Sequence, residues 1–145
     1  MLANTLFSVL ALAGSALSAP TPAPSVGPQE LIVVSPTIIS PAAGDWWRPG
    51  TTHLVTWETD DIPPAAANNR GYIYLGHLTY VHDKKTGEDY PNENLDIDHP
   101  LAAGFLITDG CANVTVPKDT KHRNDYFVVL FGDSGNTSQK FAIRP

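Results

Sequence analysis

Aromatic side chains are the residues of this sequence whose type and spacing best suit ligand binding. Trp46 is the first candidate, and Tyr72, Tyr74 and Tyr80 follow at even spacing, which in one extended strand puts them on a single face. Flat rings exposed on a β surface can stack on sugar faces while neighbouring acids and amides bond the hydroxyls. We therefore predict that these four rings form a ligand-binding surface. One alternative stays open, in which the tyrosine rings pack under loops or against a second sheet. Their hydroxyl groups would then form hydrogen bonds at the edge of the packed region.

A serine-centred string is the most tempting catalytic motif. Gly132-Asp133-Ser134-Gly135 resembles the segment around the nucleophile of trypsin-like serine proteases, and His53 lies upstream as an apparent triad partner. Those enzymes need a chain long enough to form two β-barrels, which hold the triad in hydrogen-bond geometry. His53 also lacks the flanking sequence of that family. The same residue types are typical of a turn between two strands, which is how we interpret them. We predict no catalytic residue, and we predict that the protein is not an enzyme.

Three acidic residues, Glu93, Asp96 and Asp98, raise two further kinds of site. Glycoside hydrolysis needs two carboxylates facing each other across a cleft, and a domain this small has little room for one. Calcium needs several oxygen ligands close together, but the glycine and ligand spacing of an EF-hand loop is missing. We interpret these acids as a solvated loop and keep calcium as the alternative.

Histidines at positions 53, 77, 82, 99 and 122 raise the question of zinc or copper. None stands in an i, i+2 or i, i+4 pair with another, so a metal would have to recruit them through the fold. His77 and His82 flank the same strand end and are the one pair worth testing. We predict no metal site and no cofactor.

The formal net charge of −6 arises within one stretch of the chain. Residues 58–98 carry nine acidic side chains against Arg70, Lys84 and Lys85, while the remainder balances at six acids and six bases. A basic stripe able to neutralise phosphates is therefore missing, and we expect no nucleic-acid partner.

The N-terminal segment indicates secretion. Residues 1–18 carry no charge and include an apolar run too short to span a membrane, which is typical of a signal peptide cleaved to leave Ala19 first. Residues 19–29 contain four prolines and predict an extended leader, and residues 30–145 predict one domain. We expect neither a membrane span nor a lipid-anchor signal, and a secreted protein that is extracellular or loosely attached to a cell wall.

A single cysteine and two glycosylation sequons fit that location. Cys111 has no intramolecular partner, so we expect it to be a small buried strand residue, with an intermolecular disulfide as the alternative. The sequons Asn113-Val114-Thr115 and Asn136-Thr137-Ser138 make Asn113 and Asn136 the candidate N-glycosylation sites.

Short segments rich in β-branched and aromatic residues predict the elements that must position these side chains. About seven of them, separated by turn clusters and without a helical period, predict an all-β immunoglobulin-like or fibronectin-like β-sandwich. An interruption at Pro36 and a stop at Pro41 suit the first segment to a sheet edge. The segments are 31–39, 51–57, 71–81, 105–107, 112–116, 126–131 and 139–143.

Alternation within these segments predicts which face of each strand is buried. The same alternation predicts that Asn113 and Thr115 point outward, and a glycan on Asn113 would have to lie on that outward face. The predicted core residues are Val55, Trp57, Val114, Val116, Tyr126, Val128, Leu130, Phe141 and Ile143.

A spaced residue pattern runs through the predicted domain. It reads Ile38-x-x-Pro41-x-x-Gly44-x-x-Trp47-x-x-Gly50, Val55-x-Trp57, Gly71-x-Ile73-x-Leu75, His99-Pro100-Leu101-Ala102, Val114-x-Val116-Pro117 and Asn124-Asp125-Tyr126-x-Val128-x-Leu130-Phe131-Gly132-Asp133-Ser134-Gly135-Asn136. This pattern resembles the fungal cell-wall synthesis proteins of the Kre9/Knh1-like N-terminal domain family. The resemblance implies a secreted immunoglobulin-like domain of wall or cell-surface proteins, some associated with β-1,6-glucan assembly, and implies no reaction. It also implies that Trp47 is buried, so that Trp46 points the other way.

Two functions are consistent with these features. The first is a non-catalytic secreted domain of the fungal wall that binds or organises polysaccharide, with β-glucan as the expected ligand. The second is a secreted protein–protein interaction module or effector that recognises a wall or host protein through the acidic segment 83–98. In both cases we expect a monomer.

Overall fold

The computed structural model describes residues 33–132 and 135–145, and these residues form an all-β protein, as the sequence predicts. Eleven strands occur in this part of the chain, more than the seven or so expected. Short strands at 46–47, 89–92 and 135–137 have too few residues to stand out in the sequence, and the predicted segment 71–81 forms two strands. In chain order the strands are β1 (Ile38–Ser40), β2 (Trp46–Trp47), β3 (Thr52–Trp57), β4 (Arg70–His77), β5 (Thr79–His82), β6 (Asp89–Asn92), β7 (Ala102–Leu106), β8 (Cys111–Thr115), β9 (Arg123–Phe131), β10 (Gly135–Thr137) and β11 (Phe141–Ile143).

The smaller sheet has three antiparallel strands in the order β1-β3-β8, so β1 lies at an edge as its prolines predict. Its inward face carries Val55 and Val114, both buried, and its outward face carries alternate residues such as Leu54 and Asn113. Cys111 lies on the outward face and is exposed, so the prediction of a buried cysteine is wrong. Side chains alternate between the two faces of a strand, and Cys111 lies two residues before Asn113, so both point outward.

The larger sheet runs in the order β2-β11-β9-β4-β7, with β10 also paired to β9. Its edge strand β2 pairs with β11 in parallel, and the remaining pairs are antiparallel. The long strand β9 is buried on both faces, with Phe127 and Val129 as inaccessible as Val128 and Leu130. The unbroken apolar run of β9 is the sequence signal for burial on two sides.

One hydrophobic core lies between the two sheets. Val55 and Val114 from the small sheet meet Ile73 and Leu130 from the large one, so the arrangement is a sandwich. All nine predicted core residues are buried, which confirms the alternation argument. The buried residues of this core are Ile38, Trp47, Val55, Trp57, Ile73, Val114, Val116, Tyr126, Val128, Leu130, Phe141 and Ile143.

A separate hairpin interrupts the segment predicted as one strand at 71–81. The backbone leaves the large sheet after His77, whose carbonyl accepts a hydrogen bond from Asn94 Nδ2 at 3.0 Å. After Leu78 the chain pairs β5 with β6 in a two-stranded sheet. The acidic segment 83–98 is therefore part hairpin and part loop rather than a loop throughout.

The predicted signal peptide (1–18) and leader (19–29) lie outside the described residues, as do Asp133 and Ser134 of the serine-centred string. Within the described residues, no helix has the length and apolar character needed to cross a membrane.

Candidate functional site

Trp46 and Trp47 occupy opposite faces of β2. Trp47 is 4% exposed and packs in the core, with its ring stacked on His53 (centroids 4.6 Å apart, planes at 6°) and tilted against Phe141 at 4.4 Å. Trp46 is 45% exposed on the outer face. The opposite orientation expected for the two indoles is present, because successive side chains of a strand alternate.

Two arginines lie over the ring of Trp46. The guanidinium carbon of Arg144 is 5.0 Å from the ring centroid, and that of Arg48 is 5.8 Å from it. Strand register explains the grouping, because Ala142 of β11 is opposite Trp46, and Arg144 and Arg48 each follow two residues later on the same face. Cation–π contacts at exposed positions contribute about 0.5–1 kcal/mol each.

An open groove of about 520 Å³ continues from Trp46 along Arg48, Thr51 and His53. The Thr51 hydroxyl donates to the Arg48 carbonyl at 2.6 Å and lies 2.7 Å from His53 Nε2. Since its single proton is used, His53 Nε2–H donates to Thr51 Oγ1. Burial lowers the pKa of His53, so the imidazole is neutral near pH 7. The groove thus offers the Arg48 cation, an aromatic ring and an oriented hydroxyl, and Arg144 lies on the same ring beside it.

Tyr72 and Tyr74 share the outer face of β4, as predicted. Their rings stack with centroids 6.2 Å apart and planes at 8°, and Tyr74 also meets the edge of Phe131 at 5.6 Å. Tyr72 is 46% exposed, whereas Tyr74 is half-buried. Strands β11 and β9 separate this pair from β2, which places the β2 and β4 backbones about 14 Å apart, three strand spacings.

Tyr80 does not belong to this surface, so the prediction that it shares a strand with the other tyrosines is wrong. It lies on β5 in the separate hairpin and is 68% exposed. The even spacing is misleading because the chain leaves the large sheet between the second and third tyrosine. Of the four predicted ligand-binding residues, the structure places Trp46, Tyr72 and Tyr74 on the outer face of one sheet and Tyr80 elsewhere.

A second, smaller cleft of about 210 Å³ at one end of the sandwich was not predicted as a site. Its wall includes an ion pair between Asp96 Oδ1 and His99 Nδ1 at 2.9 Å, and the hydrogen bond to Asp96 raises the pKa of His99. His77 lines the same cleft, and burial together with the nearby Arg123 lowers its pKa. The loop that follows β6 brings these residues together, which residue spacing along the chain does not reveal.

His77 and His82, the one histidine pair worth testing, belong to different sheets. His82 lies in the hairpin, where its Nδ1 is 2.7 Å from Asp89 Oδ1. Among residues 33–132 and 135–145 there is no cluster of three or more histidine, cysteine or acidic side chains suited to a metal ion.

The two sequons differ in accessibility. Asn113 is exposed on the outer face of β8, as predicted, and pairs in register with Leu54. Asn136 is half-buried in β10, and its Nδ2 donates a hydrogen bond to the carbonyl of Pro36. The amide of Asn113 is therefore the freer of the two.

These residues define an all-β sandwich with an additional two-stranded hairpin and with a cationic and aromatic groove at the edge of its larger sheet. Comparisons with protein-family models, with curated proteins and with solved structures each find no match.

Proposed function

We propose that this chain is a secreted, non-catalytic domain of the fungal wall or extracellular space that binds wall polysaccharide, with β-glucan as the expected ligand. The observation that carries the proposal is the half-exposed indole of Trp46, held at a sheet edge beside an open groove with hydrogen-bonding walls. The part of this ring that the two guanidinium groups leave exposed gives a sugar an apolar surface to pack on, while Arg48 and Thr51 supply polar groups for its hydroxyls.

The strand arrangement supports an immunoglobulin-like identity within this proposal. Strands β1, β3 and β8 in one sheet and β4, β9 and β11 in the other match the A-B-E and C-F-G strands of such a sandwich. Tyr126, near the start of β9, donates its hydroxyl to the Lys121 carbonyl at 2.9 Å, as in the tyrosine corner of that fold. Both features agree with the fold that the resemblance to Kre9/Knh1-like domains implies, and that resemblance supports the proposal of a wall or extracellular protein.

Retention on insoluble β-glucan and chitin tests the proposal directly. We expect the purified protein to be retained on at least one of them, and Trp46→Ala to weaken retention about 3- to 10-fold, since an aromatic contact contributes about 0.5–1.5 kcal/mol. Tyr80→Ala is the matched control because it removes an exposed ring from the separate hairpin. If neither polysaccharide retains the protein, the proposal is wrong.

A second function, recognition of a wall or host protein, is favoured by the exposed hairpin of β5 and β6. Tyr80, Val81 and Tyr90 are solvent-exposed there, beside the acidic side chains of Glu88 and Asp89. Apolar and aromatic groups flanked by charges are typical of interaction surfaces.

Variants distinguish the two functions. With secreted and wall proteins as the probe mixture, Tyr80→Ala and Glu88→Gln should abolish any specific capture by the hairpin, whereas Trp46→Ala should leave it unchanged. Capture that depends on Trp46 and ignores the hairpin variants would exclude the second function.

A further inference from the structure

We propose that the groove beside Trp46 is a subsite for an anionic group, a carboxylate or phosphate carried on a polysaccharide, which names the ligand class and rests on the proposed polysaccharide binding. The starting point is the state of the two guanidinium groups over the indole. Within the part of the chain that the structure describes, neither Arg48 nor Arg144 forms an ion pair or a side-chain hydrogen bond.

The other two arginines of the chain each use their guanidinium group in at least one hydrogen bond. Arg123 binds Asp125 through two hydrogen bonds of 2.8 Å each, and Arg70 donates to the Gly104 carbonyl. Arg48 and Arg144 therefore differ from the other two arginines in having no side-chain hydrogen bond within the described residues, although the formal net charge of the protein is −6. Acidic side chains are abundant in this chain, but none of those that the structure describes forms an ion pair with either arginine.

The nearest acidic residue along the chain does not neutralise the groove. Asp45 precedes Trp46 directly, and its Oδ2 accepts a hydrogen bond from the Ala42 amide at 2.8 Å. That interaction keeps the Asp45 carboxylate in the turn before β2. The two positive charges thus remain available to a ligand.

The stacked arrangement suits an anion better than a neutral sugar. A guanidinium lying over an aromatic ring keeps its in-plane N–H donors free, and these match the two oxygens of a carboxylate or phosphate. Because the indole restricts both side chains, less conformational entropy is lost when the anion binds. The sugar that carries the anion would extend along the groove toward Thr51 and His53, which supply an oriented hydroxyl and a neutral imidazole.

The test compares three soluble probes that share one backbone: a neutral β-1,3-glucan, its carboxymethyl derivative and its phosphorylated derivative. Titration of the intact secreted protein at low ionic strength should show at least one anionic derivative binding about tenfold more tightly than the neutral glucan, with the advantage shrinking as salt is added. The preferred derivative identifies the anion as carboxylate or phosphate.

The double variant Arg48→Gln/Arg144→Gln should abolish the preference, so that the anionic and neutral glucans bind with affinities within about twofold of each other. Lys84→Gln/Lys85→Gln, which removes the same charge from the hairpin, is the matched control and should keep the preference. The readout is a ratio of affinities, so a merely stabilising role of the arginines, seen as a lower Tm, would leave it unchanged.

The outcomes separate the two proposals. Equal binding of neutral and anionic probes, or a preference that survives loss of both arginines, overturns the anionic subsite while polysaccharide binding stands. Failure of the unmodified protein to bind any of the three probes overturns the anionic subsite and β-glucan as the ligand, and retention on chitin then decides whether polysaccharide binding stands.

Discussion

Two adjacent tryptophans illustrate how one position in a strand changes the role of a residue. Trp47 lies in the core against His53 and Phe141, whereas Trp46 lies under two guanidinium groups at the surface. Identical side chains therefore belong to different parts of the molecule. One is available to stabilise the fold, and the other to bind a ligand.

The histidines also take different roles according to their neighbours, which leads to a testable order of pKa values. We expect NMR titration to place the pKa of His99 above the ordinary value of 6.5 because of its bond to Asp96, and those of His53 and His77 below it because of burial. Asp96→Asn should lower the pKa of His99 and leave that of His53 unchanged. A His99 that titrates together with His53 would contradict the ion pair.

At the scale of the elements, the loop after β6 and the side chain of Phe127 in β9 pack closely on one glycine of β4. A Cβ atom at Gly76 would lie 2.6 Å from Leu95 Cδ2, 2.8 Å from Phe127 Cε2 and 2.9 Å from the Glu93 carbonyl oxygen. The loop after β6 packs on the large sheet at this point. The same loop supplies Asp96 and His99 to the end cleft.

We therefore expect Gly76→Ala to lower the free energy of unfolding by about 1–3 kcal/mol, because the added methyl overfills a packed contact. Denaturant unfolding measures this change. Leu95→Ala introduced together with Gly76→Ala should cost less than the sum of the two single changes, since it removes one of the clashing atoms. Strict additivity would show that the loop does not pack on Gly76.

At the scale of the whole molecule, stability comes from the core shared by the two sheets, and the candidate site lies outside that core. Trp47 belongs to the large sheet and stacks on His53 of the small one, so it joins the two layers at the edge where the groove begins. Trp46 contributes its ring to the groove alone.

Equivalent truncations of the two indoles should therefore differ strongly in their effect on stability. We expect Trp47→Ala to cost about 3–5 kcal/mol, as is usual for a buried tryptophan, and Trp46→Ala to cost about 1 kcal/mol or less. Equilibrium unfolding of both variants under one set of conditions provides the comparison. Similar losses would mean that Trp46 is structural and would weaken its assignment to ligand binding.

Much of the fold could be predicted from the sequence because it depends on local patterns. Alternation in the predicted strands identified the buried faces, including Val55, Val128 and Ile143, since the pleat has a fixed period of two. The double burial of β9 could also have been read from its unbroken apolar run. The exposure of Cys111 follows from the same parity that places Asn113 outward.

The candidate site was predictable only in part, because contacts between distant strands are not encoded in spacing. Trp46 could be identified as the outward indole because the family resemblance implies that Trp47 is buried. Its two arginines, however, come together only through the parallel register of β2 and β11. Tyr80 was misplaced because a strand break at Leu78 has no clear sequence signal. The sequence by itself determined the strand type, the buried faces and the opposite orientation of the two adjacent indoles, since these depend on neighbours along the chain. Only the tertiary structure decided which charges and rings meet, because that depends on how separate strands pair.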